Sequence, residues 1–188
     1  GWSPKGDREI YDLKGLLEEF DIGGISKSPA IFDIQKLNYI NGEYIRAMAP
    51  EQFYETALPW IAQSVKSESA NLRLLAEVLQ KRTEVLGDIP EQVDFVDELP
   101  EYDLALYTHK KMKTDAASSL EALEQILPEL EKLDFFDEAK IHQVLFALIE
   151  KLGEKNGKLL WPLRVAVSGK AFTPGGGIEL CAILGKEE

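Results

Sequence analysis

The sequence predicts an all-α fold, built as an array of stacked helical hairpins, and three observations support this prediction. Apolar residues recur at helical spacing in one segment after another. Residues that cap helices stand at the ends of those segments. Strand patterns are almost absent, because the only β-leaning run is short and spans Arg164 to Ser168. With 188 residues, of which 45% are hydrophobic, the chain can bury a sizeable core.

Two helices are predicted in the first 48 residues. Asp12 can cap a helix that Gly23-Gly24 ends, and its apolar residues fall at i, i+3, i+4 and i+7: Leu13, Leu16, Leu17 and Phe20. Asp33 is a second cap, and the helix that follows it carries Ile34, Leu37 and Ile40 on one side. We expect Asn41-Gly42 to break this second helix.

Three helices are predicted in the middle of the chain. Pro50 stands in the first turn of one, and Pro59 should kink or end it. The longest clear element of the first half is an amphipathic helix from Ser67 to Leu86, with one apolar side formed by Leu72, Leu75, Leu79 and Leu86. Pro90 begins a short helix that runs through Phe95.

Three more helices are predicted in the last third. The first begins near Asp115 and is interrupted by Pro128; its apolar residues are Leu120, Leu123, Leu127 and Leu130. The clearest pattern of all runs from about Asp137 to Leu152, with Ile141, Val144, Leu145, Leu148 and Leu152 at helical spacing. The last helix has Thr173 as its cap, Pro174 at its first position and Gly185 as its terminating residue.

The net charge of −12 argues at first against nucleic-acid binding, which draws on clustered Lys and Arg. The charge is unevenly distributed, however. Residues 84–103 contain eight acids and no Lys or Arg, whereas residues 140–171 contain six bases and two acids. The basic segment is either a docking face for an anionic partner or an ordinary solvated helix surface, and charge alone leaves both interpretations open.

Composition also limits the compartment and the cofactors. The single cysteine, Cys181, has apolar neighbours and is expected to be a small buried hydrophobe in a cytoplasmic, reducing compartment. His109 and His142 lie far apart without partnering cysteines, so no structural metal is expected. Apolar runs are far shorter than the roughly 20 residues of a membrane span, and no membrane association is expected. We expect a monomer.

Segments at both ends of the chain carry recognisable motifs. At the start these are Gly1-Trp2-Ser3-Pro4, Ile31-Phe32-Asp33 and the run KLNYINGEYIR from Lys36 to Arg46. At the end they are the run PLRVAVSG from Pro162 to Gly169, Thr173-Pro174-Gly175 and Leu184-Gly185-Lys186-Glu187. The first set is similar to the stem-contact segment of the bacterial-type glutamyl-tRNA synthetases, and the second resembles the final helical domain of that family. Their order and spacing match over essentially the whole chain.

This resemblance implies a tRNA-binding role in a larger enzyme. Family members are class I synthetases that attach glutamate to tRNA-Glu with ATP and Mg, and their two ATP-site signatures should lie upstream of Gly1. The chain is therefore expected to be inactive alone, to hold no cofactor itself and to bind tRNA-Glu rather than DNA. The run Lys110-Lys111-Met112-Lys113-Thr114 is a superficial echo of one signature, but it lacks the strand and glycine context of an ATP site and reads as a solvated helix end.

Two arginines are the main candidates for anticodon contact. Arg82 matches a family arginine that reads the third anticodon base and favours tRNA-Glu over tRNA-Gln, although Lys81 leaves the match uncertain by one position. The other interpretation of Arg82 is a surface ion pair with Glu77 or Glu84. Arg164 lies in the best-matching tail motif, where the resemblance implies anticodon contact; otherwise it snorkels or pairs with a local carboxylate. A guanidinium suits either task, because it presents fixed donors to the edge of an unpaired base.

Four further residues complete the predicted site. Trp161 can stack on a splayed base or pack in the core. Thr173, Pro174 and Gly175 place backbone amides at a helix start, where they can hold an anion or simply form a turn. Gly176 and Gly177 depart from the bulkier residues of the family, so side-chain contacts there do not carry over. A family arginine on the preceding helix falls at Phe146, so its contact is either lost or replaced by one from Lys151.

The resemblance also divides the chain, and a different class of function remains open beside it. Residues 1–48 are expected to complete the stem-contact domain, with anticodon-binding helical domains of the class I synthetase type at 49–113 and 114–188. The alternative is an acidic helical scaffold whose grooves accept partner helices. A stand-alone enzyme is disfavoured, because no catalytic constellation is visible in the sequence.

Overall fold

The computed structural model describes residues 1–28 and 31–186, and the all-α prediction is confirmed within them. Glu187, which closes the last resembling segment, lies outside the described residues. The described residues form no strand, only two isolated β-bridges, Trp2–Ile25 and His109–Thr114. The helices are α1 (Leu13–Glu19), α2 (Ile34–Ala47), α3 (Pro50–Ser64), α4 (Leu72–Gln80), α5 (Ile89–Val93), α6 (Ala116–Glu131), α7 (Glu138–Leu152), α8 (Asn156–Ser168) and α9 (Gly177–Leu184).

Aspartates begin four of these helices, as the sequence predicts. The carboxylates of Asp12, Asp33, Asp115 and Asp137 each accept a hydrogen bond from a backbone amide in the first turn. The apolar stripe of α1 is nevertheless not buried by the described residues, since Leu13 and Leu17 are 74% and 71% exposed. The pattern therefore predicts the helix correctly, but the described residues do not cover it.

The predicted break at Asn41-Gly42 is wrong, because α2 continues through both residues to Ala47. Gly42 is buried, and a Cβ there would lie 3.0 Å from Cγ of Glu84. The Asn41 amide donates to the carbonyl of Glu84. This Asn-Gly pair permits a close approach between α2 and the segment after α4, and it forms no turn.

Prolines inside the helices do not end them. Pro59 lies within α3, which continues to Ser64, and Pro128 lies within α6, which continues to Glu131. A proline removes one backbone hydrogen bond, but both helices are held by buried side chains on either side of it. In α3 these side chains are Phe53, Ala57 and Ile61, each 0% exposed.

The amphipathic helix predicted from Ser67 to Leu86 is much shorter in the structure. Its regular part is α4, which Asn71 caps by accepting a hydrogen bond from the amide of Leu74 at 3.1 Å. The amide of Asn71 itself donates to the carbonyl of Ile183 at 2.8 Å. Docking on α9 therefore fixes the start of α4, a constraint that periodicity does not reveal. Pro90 does stand at the start of a short helix, α5.

The buried face of α6 differs from the predicted one. The helix buries Ser119, Ala122, Ile126 and Leu130, whereas Leu120 and Leu127 are each 59% exposed. The Ser119 hydroxyl donates to the carbonyl of Tyr107 at 3.1 Å and ties α6 to the 3-10 turn Leu104–Tyr107. A buried polar anchor therefore sets the rotation of this helix, and the leucine pattern alone gives the wrong face.

The last two helices differ from the sequence prediction at one point each. The β-leaning run Arg164 to Ser168 is the final turn of α8, which ends at Gly169 in the left-handed region, with φ of 63°. The final helix begins at Gly177 instead of Pro174, while its end at Gly185 is confirmed. Thr173 is thus not a helix cap, because its hydroxyl donates to the carbonyl of Gly175 within the loop.

Two apolar clusters form the core, and α9 contributes to both. One cluster is built mainly from α3, α4 and α5, and it includes Leu180 and Ile183. The other is built mainly from α6, α7 and α8, and it includes Ile178 and Cys181. Burial raises the pKa of the Cys181 thiol to about 12, so this residue is the buried small hydrophobe that the sequence predicts.

Candidate nucleic-acid interface

Arg82 follows the end of α4 and reaches the loop between α8 and α9. Its side chain is exposed, and its Nη1 donates to the carbonyl of Thr173 at 3.4 Å. Among the described residues it has no carboxylate partner, so the ion pairs with Glu77 or Glu84 are not formed. This arrangement leaves the positive charge of Arg82 open to solvent.

Arg164 lies on α8, and the same loop brings it close to Arg82. The side chain is half-buried, and its Nε is buried without a hydrogen-bond partner in the described part of the chain. Burial lowers the pKa of Arg164, repulsion from Arg82 lowers it further, and attraction to Glu179 offsets part of this effect. The two guanidinium groups, named here the arginine pair, therefore form a locally positive point on an acidic protein.

Two other cations of the basic segment are paired with carboxylates. Lys158 lies 2.5 Å from a Glu154 carboxylate oxygen, and Lys170 lies 2.5 Å from one of Asp94. These contacts fit the solvated-surface interpretation of that segment. Arg164 differs from both lysines, because no described carboxylate lies within ion-pair distance of it.

The loop Thr173–Gly177 shapes the arginine pair through its backbone. Thr173, Pro174 and Gly175 are buried, and the Thr173 carbonyl accepts the hydrogen bond from Arg82. The amide of Gly176 donates to the Glu179 carboxylate at 3.1 Å, so this amide is not free to hold an anion. A Cβ at Gly177 would lie 3.0 Å from the backbone nitrogen of Arg164, which explains the glycine as a close contact between α9 and α8.

Trp161 lies one turn before Arg164 on α8 and is only 8% exposed. Its indole N–H donates to the carbonyl of Leu106 at 2.9 Å, and its ring centroid lies 4.2 Å from that of His109. The Arg164 guanidinium carbon lies 5.5 Å from the Trp161 ring centroid. Of the two interpretations from the sequence, this placement favours core packing, with the indole beneath Arg164.

Phe172 is a residue that the sequence analysis missed. It directly precedes Thr173, and its side chain is 90% exposed. The carbonyl of Thr173 accepts the hydrogen bond from Arg82, so Phe172 is one residue away from that contact. An exposed aromatic ring is the feature that single-stranded RNA uses for base stacking. The available signal was an aromatic residue beside Thr173-Pro174-Gly175 that belongs to no helical pattern.

Other features of the described chain offer different chemistry. A cavity of about 820 Å³ between α6, α8 and α9 is mainly apolar, and its lining residues include four acids, Asp97, Glu98, Glu124 and Glu131, against one cation, Lys186. It is therefore unsuited to phosphate. Within residues 1–28 and 31–186, no group of three His, Cys, Asp or Glu side chains could hold a metal ion. No helix in these ranges is long and apolar enough to cross a bilayer.

Comparison with known proteins connects this site to one family of enzymes. The chain is 52% identical over 188 residues to a glutamate–tRNA ligase of Clostridium tetani and 50% identical to one of Lachnoclostridium phytofermentans. All of the chain is aligned in both cases, and it spans 38% of the length of each relative. The resemblance to glutamyl-tRNA synthetases is thereby confirmed.

Solved structures agree with the sequence relatives. A glutamate–tRNA synthetase from Elizabethkingia anophelis matches the whole chain with a TM-score of 0.74 at 26% identity, over 36% of its own length. One from Elizabethkingia meningosepticum has the same TM-score at 24% identity. The sequence model of the anticodon binding domain matches residues 52–188, which include the arginine pair and the loop beside it. The chain belongs to the anticodon-binding-domain family.

Proposed function

We propose that this chain is the anticodon-recognising part of a glutamate–tRNA ligase, with the arginine pair at the centre of the RNA contact. Support comes from the family, from the named relatives and from the geometry of the two arginines. Arg82 and Arg164 lie beside one loop and carry guanidinium donors that no described carboxylate takes up, and a reader of exposed base edges requires such donors.

The single observation that carries this proposal is a half-buried guanidinium whose charge Glu179 offsets only in part. Half-burying Arg164 beside a second arginine is electrostatically unfavourable, and no described carboxylate forms an ion pair with either residue. An anionic or hydrogen-bond-accepting ligand relieves that cost. An unpaired anticodon loop supplies both phosphate charge and base acceptors.

In this proposal the remaining site residues have separate tasks. Thr173, Pro174 and Gly175 hold Arg82 through the Thr173 carbonyl, and Trp161 supports Arg164 from below. Phe172 replaces Trp161 as the ring on which a base stacks.

The parent enzyme follows from the same proposal. It attaches glutamate to tRNA-Glu using ATP and Mg, which its catalytic domain holds. Residues 1–48 complete the stem-contact domain, and residues 49–113 and 114–188 form the two anticodon-binding domains. We place the protein in the cytoplasm as a monomer.

A binding experiment with two RNAs tests the proposal. We expect this chain to bind a tRNA-Glu transcript more tightly than one with a scrambled anticodon, measured by fluorescence anisotropy at fixed salt. Arg82→Lys and Arg164→Lys keep the charge but lose the paired donors, so each should reduce this discrimination by roughly 1–3 kcal/mol if the arginine contacts a base. Equal affinity of the wild-type chain for the two transcripts would contradict anticodon recognition.

A further inference from the structure

The run Lys110-Lys111-Met112-Lys113 has no task in the function proposed above. It lies between two bridged residues, since the amide of His109 donates to the carbonyl of Thr114 at 3.0 Å and the reverse bond is 3.3 Å. The amide of Met112 donates to Nδ1 of His109 at 3.2 Å. This segment, His109–Thr114, is a closed turn and is named here the lysine turn.

The lysine turn is held in a costly conformation. Lys113 has φ of 59° and is the one described non-glycine residue with a positive φ. Side chains other than glycine are disfavoured in this left-handed region, and Asn or Gly would fit it better. A lysine at this position is therefore poorly explained by the turn itself.

The lysine turn concentrates unpaired positive charge, with three lysines within four residues. Lys110, Lys111 and Lys113 are exposed, and none of them forms an ion pair with a described carboxylate. The adjacent Asp115 is occupied as the cap of α6, where the amide and hydroxyl of Ser118 hold its carboxylate. Three uncompensated ammonium groups on a closed turn attract anions.

Contacts along one side of α8 connect the lysine turn to the arginine pair. Sδ of Met112 lies against Gly157, the His109 ring packs on Trp161, and the Trp161 ring lies below Arg164. Gly157, Trp161 and Arg164 occupy positions i, i+4 and i+7, which share one helix face. From Gly157 to Arg164 the helix rises about 10 Å, so the turn and the arginine pair lie within reach of one short RNA strand.

We infer that the lysine turn is a second RNA contact, which binds the phosphate backbone next to the nucleotides at the arginine pair. This inference rests on the proposed function, and it gives the lysine turn and the arginine pair different roles in RNA binding. The turn supplies affinity without sequence preference, because ammonium groups contact phosphates as point charges. The arginine pair supplies the choice of anticodon.

The test is a salt titration of a triple variant, K110Q/K111Q/K113Q, with the same two transcripts. Each lost phosphate contact lowers the slope of log affinity against log salt by about 0.7 for single-stranded RNA. We expect the slope to fall by about 1–2 and affinity for both transcripts to fall by the same factor. The preference for the tRNA-Glu transcript should remain.

A matched control removes the same charge elsewhere. Lys66, Lys132 and Lys140 are exposed and do not contact the lysine turn. Their partners are the carbonyl of Ala62, the carboxylate of Glu129 and the ring of Phe135, respectively. K66Q/K132Q/K140Q should keep most of the wild-type slope. Circular dichroism and the Tm establish that both triple variants are folded.

The outcomes separate this inference from the proposed function. If the K110Q/K111Q/K113Q variant is folded and its slope equals that of the control variant, while wild-type discrimination persists, the lysine turn is not an RNA contact. If that variant loses discrimination along with affinity, the separate duties of the turn and the arginine pair are refuted. A wild-type chain that binds neither transcript would overturn the proposed function itself.

Discussion

The two aromatic residues of the proposed site have opposite environments. Trp161 is 8% exposed and its indole N–H is hydrogen-bonded, whereas Phe172 is 90% exposed. Burial stabilises a fold, while an exposed ring is free to stack on a ligand. Trp161 therefore contributes to the stability of the fold, whereas Phe172 is available for RNA binding.

Phe172→Ala should weaken binding of the tRNA-Glu transcript by roughly 1–3 kcal/mol, the usual contribution of one stacked base. Its Tm should stay near that of the wild type, because the ring has few neighbours. Trp161→Ala should instead cost about 3–5 kcal/mol of unfolding free energy, as large core truncations do. Anisotropy and thermal melts measure the two quantities.

Phe135→Ala is the control for Phe172→Ala. Phe135 is also exposed, at 58%, but its ring lies under the Lys140 ammonium group, 3.7 Å from Nζ. Its truncation should leave RNA affinity unchanged. Equal losses of affinity in both phenylalanine variants would remove Phe172 from the site.

Residue chemistry explains why the sequence identified the arginines and missed Phe172. Arg82 and Arg164 stand out by type and by their place in segments that resemble a known family. Their proximity is a tertiary property, since 81 residues separate them along the chain. The exposure of Phe172 is likewise a tertiary property, because the sequence shows only that this aromatic residue belongs to no helical pattern.

At the scale of single elements, helix starts at an aspartate were predicted better than the other helix starts and the helix lengths. An aspartate cap is a local signal, and Asp12, Asp33 and Asp115 act as predicted. Asp137 also caps a helix, at the place where the sequence predicts that the helix begins. Breaks at Asn41-Gly42 and Pro128 were wrong, because packing on neighbouring helices outweighs the local preference to end.

The start of α4 gives the sharpest test at this scale. If Asn71 caps α4, Asn71→Ala should lower the free energy of unfolding by about 0.5–2 kcal/mol, and Asn71→Gly by only a few tenths. Ser67→Ala should have an effect within about 0.5 kcal/mol, since Ser67 bonds within its own turn. Urea unfolding measures all three variants. A larger loss for Ser67→Ala than for Asn71→Ala would place the start where periodicity alone suggests it.

For the whole molecule, the position of α9 between two apolar clusters is the main constraint. Leu180 and Ile183 belong to one cluster, while Ile178 and Cys181 belong to the other. One short helix thus completes both cores, and neither is fully covered without it. The site depends on this arrangement, because the loop that leads into α9 carries the contact between Arg82 and Thr173.

Shared use of α9 predicts that the two clusters unfold together. Trp60 packs against the first cluster, and Trp161 lies beside residues of the second, so each reports on a different part of the core. The variant W2F/W161F leaves Trp60 as the reporter, and W2F/W60F leaves Trp161. Within each variant, tryptophan fluorescence and far-UV circular dichroism should give the same Tm, as two-state unfolding requires.

Shortening a buried side chain of α9 should lower the Tm that either tryptophan reports. Leu180 is 0% exposed, and Leu180→Ala should cost about 2–5 kcal/mol in either background. For a chain of this size each kcal/mol lowers the Tm by about 2–4 °C. Leu145→Ala is the matched comparison. Leu145 is also 0% exposed, but it belongs to the second cluster alone. Because unfolding is cooperative, it too should lower the Tm seen by Trp60. A Trp60 transition that stays in place while the Trp161 transition shifts would mean that α9 does not couple the two cores.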